Sequence, residues 1–138
     1  MELPVSLIES SVDRGSILHG PFHGIDHQKF FVVIGVTEEC VAGFFYINSA
    51  INRNINKKPG QLRMQYPIHR EDYTFLARDS YICATEIQRI PRNRLSNGIA
   101  AGDVLIKGTL KEEHLNDLLN LTRNSNLFTA NEKKLFLY

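Results

Sequence analysis

Two apolar runs separated by a very short gap constrain this chain more than anything else. Lys29 to Val36 reads KFFVVIGV and Val41 to Ser49 reads VAGFFYINS, with Glu38-Glu39 between them. Both runs are rich in β-branched and aromatic residues, the types that suit a pleated, buried surface. The gap is far too short for the crossover helix that parallel strands need, so the two runs predict adjacent antiparallel strands. In Lys29 to Val36 both alternating sets of side chains are apolar, so a cover is expected on each face, supplied by a C-terminal helix or a second subunit. Phe31, Val33, Phe45, Ile47, Ile82 and Ile87 are the expected core, with Phe30, Val32 and Ile34 on the opposite face.

The rest of the chain extends this pattern. Gly15 to His19 predicts a first strand, followed by a loop through Gly20-Pro21-Phe22-His23-Gly24. Ala50 to Gly60 is polar and predicts a long loop. Gln61 to His69 alternates apolar and polar residues as a half-buried strand does. Ser80 to Ile87 predicts another strand, Pro91 to Leu95 one helical turn, and Val104 to Gly108 a closing strand. The period then changes. Thr109 with Glu112 forms a capping-box pattern ahead of Leu115, Leu118 and Leu119, which predicts an amphipathic helix over residues 110 to 123. Thr129 with Glu132 repeats the signature. Short strands followed by helices predict one domain over residues 1–138: a mainly β barrel over about 14–109 with a C-terminal helical appendage over about 110–138.

At 138 residues the chain is long enough to bury a core without staples. Its two cysteines, Cys40 and Cys83, form no CxxC pattern and lie in apolar stretches, as reduced core cysteines do. No apolar stretch is long enough to span a bilayer, and residues 1 to 11 lack a signal-peptide pattern, so a cytoplasmic location without membrane contact is expected. The formal net charge of +1 names no partner. Between Ala50 and Leu95, however, nine basic residues face four acidic ones, a distribution suited to an anion-binding face.

The segment Phe75 to Leu95, FLARDSYICATEIQRIPRNRL, resembles a late segment of MazF/PemK-type toxins. The likeness lies in Arg78-Asp79-Ser80, Ile82, Ile87, Ile90 and Arg94-Leu95, and continues into Gly108-Thr109-Leu110. Upstream, Lys29 to Ile34 resembles that family's Arg-Pro-apolar strand, and Ile47-Asn48-Ser49 its Ile-Thr strand end. The resemblance spans roughly residues 14 to 122. It implies an SH3-like barrel and a metal-independent, cofactor-free endoribonuclease acting on single-stranded RNA, working as a homodimer and silenced by an antitoxin. The family's arginine falls on Lys29, with Phe30 in place of its proline. Its hydroxyl residue falls on Asn48 or Ser49.

These positions fit the chemistry that the resemblance implies. Attack by the RNA's own 2′-hydroxyl needs a cation at the phosphate and a group that moves a proton. Lys29 is the candidate cation. Ser49, Asn48, His27 and His23 are the other candidate catalytic residues, and His19 lies in the same loop region. His19, His23 and His27 are spaced four apart, but Gly20, Pro21 and Gly24 forbid the helix that would make this spacing a metal site, so no metal is expected. Histidine titrates near neutral pH, which suits proton transfer. Arg53, Lys57, Lys58 and Arg63 are candidate RNA contacts. Tyr46 or Phe44 is a candidate to stack on a base. Asp79 suits a turn, accepting a backbone N–H. The alternative reading is a non-catalytic SH3-like module that binds protein or nucleic acid.

Overall fold

The computed structural model describes residues 12–21, 28–51 and 59–138. The architecture is mainly β. Seven strands form one antiparallel sheet: β1 Ser16–Gly20, β2 Lys29–Val36, β3 Val41–Asn48, β4 Gln65–Ile68, β5 Ser80–Cys83, β6 Gln88–Pro91 and β7 Leu105–Thr109. The helices are short: α1 Pro59–Leu62, α2 Arg92–Ala101, α3 Glu112–Arg123 and α4 Ala130–Glu132, the last running into a π-helical turn at Lys133–Leu137. Among the described residues, no helix is long and apolar enough to cross a membrane.

The hairpin anticipated from the two apolar runs is the centre of the sheet. The sheet order is β4-β5-β3-β2-β1-β7. β5 and β6 share one edge of β3: β6 pairs with Val41 to Phe44, and β5 with Ile47 and Asn48. Residues 84–87 turn between them, so the expected strand from Ser80 to Ile87 stops at Cys83, and the next strand begins only at Gln88. β4 begins at Gln65 rather than Gln61, because Pro59 to Leu62 makes a helical turn. Among the described residues the sheet is open, ending at β4 and β7. Both edges carry features that discourage strand addition: Pro67 removes a donor from β4, and Lys107 is the extra residue of a bulge in β7. A dimer formed through barrel edges draws no support from them.

Register sorts the side chains differently from the sequence expectation. Val32 pairs with Phe45 and Phe30 with Ile47, and directly opposed residues share a face. Val32, Ile34, Phe45, Ile47 and Ile82 therefore pack together, under Leu118 and Leu119 of α3 and under Phe128 and Phe136. Phe31 and Val33 lie on the other face with Leu18, Ala42 and Phe44, covered by Leu95 of α2. Both covers belong to this chain, so the apolar second face gives no reason to invoke a second subunit. α2 is ten residues long rather than a single turn, with Pro91 as its N-cap and Gly102, at φ 84°, closing it in the left-handed conformation.

Two smaller expectations are corrected and a third is met. Thr109 does not cap α3; it stays in β7 opposite Ser16, and α3 starts after Lys111. Glu112 and Glu113 in its first turn and Arg123 in its last complement the helix dipole. Cys40 is exposed at the β2–β3 turn, at φ 61°, and Cys83 is only half-buried, though both are free thiols. The second capping box is present: Glu132 N–H donates to Thr129 Oγ1, and Thr129 N–H donates to Glu132 Oε1, both at 3.0 Å.

Candidate functional site

The sheet brings several sequence candidates together at one end. β2 starts where β3 stops, because the strands are antiparallel and Phe30 pairs with Ile47. Lys29 and Asn48 are then the next opposed positions. Asn48 also pairs with Tyr81, so Ser80 at the start of β5 lies beside Ser49. β1 ends alongside, with His19 opposite Phe30. Between these strand ends lies a cleft of about 560 Å³. Its polar lining comes from Lys29, Arg78, His19, Asn48, Ser49 and Ser80, and its apolar floor from Phe30, Ile47 and Leu76. Among the described residues, no aspartate or glutamate lines it.

Lys29 is the most constrained of these groups. Its ammonium donates to Asn48 Oδ1 at 2.6 Å and sits 4.8 Å from the centroid of the Tyr46 ring. Burial pulls its pKa below the ordinary lysine value, while the nearby Cys83 pulls the other way. His19 packs against the Phe30 ring at 4.3 Å. Burial, with a smaller contribution from Lys107, lowers its pKa, so its imidazole is neutral at pH 7. Ser49 is exposed at the mouth, as is Arg78, while Ser80 is buried and donates to the Arg78 carbonyl at 3.0 Å.

The remaining candidates divide. His23, His27, Arg53, Lys57 and Lys58 lie outside the described residues. Arg63 lines a separate cleft with Asn120, Asn124 and Asn126 at the C-terminal end of α3, where its charge suits the negative pole of that helix. Phe44 is fully buried, and Tyr46 is half-buried with Lys29 over its ring, so neither offers a bare face for stacking. Asp79 has the turn role expected of it: Oδ1 accepts the Arg70 N–H at 2.9 Å, and Oδ2 lies 3.6 Å from His69. Arg78 was legible only as part of a turn motif. Its place beside Lys29 depends on β5 pairing with the end of β3, which no local pattern announces.

Two cations, a neutral imidazole and two hydroxyls, with no carboxylate among the described lining residues, suit an oxyanion next to an apolar or planar group. Among the described residues, no three His, Cys, Asp or Glu side chains gather as a metal site would need. No known family model matches this chain, and no curated protein matches it.

Proposed function

We propose that this protein is a metal-independent endoribonuclease acting on single-stranded RNA, the toxin of a toxin–antitoxin pair, with the sheet curling into an SH3-like barrel. The observation that carries this reading is the cleft in which Lys29, Arg78, His19 and Ser49 converge, with no acidic side chain among the described residues that line it. The segment resembling MazF/PemK toxins contributes Arg78 and Ser80 to that cleft, and the strand ends resembling that family contribute Lys29, Asn48 and Ser49. A cytoplasmic homodimer, held silent by an antitoxin, is the setting this resemblance implies.

In this mechanism a phosphodiester enters with its non-bridging oxygens toward Lys29 and Arg78. The neutral His19 accepts the proton of the adjacent 2′-hydroxyl. The 2′-oxygen bonds to phosphorus, the bond to the 5′-oxygen breaks, and that oxygen takes a proton relayed through Ser49 from solvent. The products are a 2′,3′-cyclic phosphate and a free 5′-hydroxyl. Lys29 stabilises the charge that builds on the pentavalent phosphorus.

The second reading is a binding module that holds single-stranded nucleic acid without cutting it. Asn48 favours it, because an amide and not a hydroxyl faces Lys29, and an amide cannot relay a proton. Incubating purified protein with a long single-stranded RNA in EDTA separates the two. The enzyme reading expects fragments with cyclic phosphate ends, and Lys29→Ala slowing cleavage by about two to three orders of magnitude. Intact RNA after prolonged incubation with the wild type would leave only the binding module.

A further inference from the structure

The partners of Lys29 set it apart from the lysine of an ordinary ion pair. Its ammonium touches a neutral amide oxygen, Asn48 Oδ1, at 2.6 Å and the face of a neutral ring, Tyr46, at 4.8 Å. Among the described residues no carboxylate lies within ion-pair distance of it; the ion pairs there are His69–Asp79 and Lys111–Asp72. A lysine has three N–H donors. One is given to Asn48, and the Tyr46 ring covers one side by a cation–π contact. The rest of its donor capacity faces a cleft in which no described lining residue is acidic.

We propose that Asn48, with the ring of Tyr46, is a positioning residue that aims the Lys29 ammonium into the cleft without neutralising it, leaving a nucleic-acid phosphate as its counter-ion. This rests on the reading of the cleft as a site for single-stranded nucleic acid. It also changes what Asn48 is for. The residue opposite Lys29 is not a weakened proton donor but a charge-neutral clamp. An aspartate there has nearly the same shape and would make the same hydrogen bond. It would also pair with Lys29 and repel the incoming phosphate. Toward Lys29, the distinction between Asn and Asp is therefore one of charge, with the amide N–H donors on the far side also lost. The neutral clamp explains how a partly buried lysine is held in one orientation while its charge stays available.

The test compares the full-length wild type with Asn48→Asp, Asn48→Ala and Lys29→Gln. The probe is a fluorescent single-stranded 2′-O-methyl RNA, which cannot be cut by 2′-hydroxyl attack. Affinity is measured across a salt series. Asn48→Asp should weaken binding about tenfold and reduce the slope of log K against log salt by about 0.7, the loss of one phosphate contact on a single strand. Lys29→Gln should give the same slope. Asn48→Ala removes the clamp but not the charge, so it should weaken binding a few-fold and keep the wild-type slope. Inorganic phosphate at matched ionic strength should compete only weakly, separating a nucleic-acid strand from a free anion.

A ligand-free readout keeps the two claims apart. In a 13C titration of the lysine Cε, Asn48→Asp should raise the Lys29 pKa above its wild-type value. An unmoved Lys29 titration, or Asn48→Asp binding like the wild type while Lys29→Gln is weakened, would overturn the clamp. A raised Lys29 pKa with no RNA binding by the wild type would uphold the clamp and remove the nucleic-acid reading instead.

Discussion

Gly35 and Gly43 oppose each other across β2 and β3, and Phe136 fills the space above them. A Cβ built on Gly35 would run into the carbonyl oxygen of Phe136 and lie 2.9 Å from its Cα. On Gly43 it would lie 2.5 Å from Cδ1 of the Phe136 ring. The two clashes differ in kind. A ring can turn; a backbone carbonyl held by Arg14, whose guanidinium donates to Phe136 O at 3.0 Å, cannot easily retreat. Overpacking a tight site costs about 1–3 kcal/mol, and losing a fully buried phenylalanine about 3–5 kcal/mol. Gly35→Ala forces the C-terminal turn off the sheet and belongs near the overlap, about 3 kcal/mol. Gly43→Ala should cost about 1–2 kcal/mol, and in a Phe136→Ala background its cost should fall below about 0.5 kcal/mol because the clashing ring is gone. Urea denaturation of the four variants measures all of this. A Gly35→Ala protein within about 0.5 kcal/mol of the wild type would refute the packing argument.

Two further outcomes follow from local geometry. Thr129→Ala breaks the capping box that starts α4 and should cost about 1 kcal/mol by urea denaturation. His19 titrates below its ordinary 6.5 in the folded protein, so the fold resists its protonation; stability should decline as pH falls from about 6.5 toward the lower folded value, and His19→Gln should flatten that acid-side decline in thermal melts at stepped pH.

The sequence revealed the strands better than their partnership. The composition of Lys29 to Val36 and Val41 to Ser49, with a gap too short for a crossover, was enough to place β2 and β3 as an antiparallel pair. Which alternating set faced which cover was not readable, because both sets are apolar and a one-residue change of register exchanges the faces. α2 was underestimated because RNRLSNGIAA buries only Leu95 and Ser96, leaving almost no periodic signal. Gly98 fits there because Val104, just beyond the helix, presses to 2.7 Å from where a Cβ would stand. At the site, Lys29, Asn48 and Ser49 were singled out by the resemblance to MazF/PemK toxins, and the antiparallel pairing of β2 and β3 brings them together. The clamp between Asn48 and Lys29 was not, since an amide at that position reads equally well as the first residue of a loop.

The proposed function requires the cleft at the ends of β1, β2, β3 and β5 to receive single-stranded RNA. A 15N-HSQC titration of the full-length protein with a 2′-O-methyl single-stranded RNA tests it most directly. Saturable shifts are expected at His19, Lys29, Phe30, Asn48, Ser49 and Arg78, absent from Lys29→Gln at the same RNA concentration. Shifts confined to Arg63 and Asn120 through Asn126, or none at concentrations that saturate comparable single-strand binders, would contradict it.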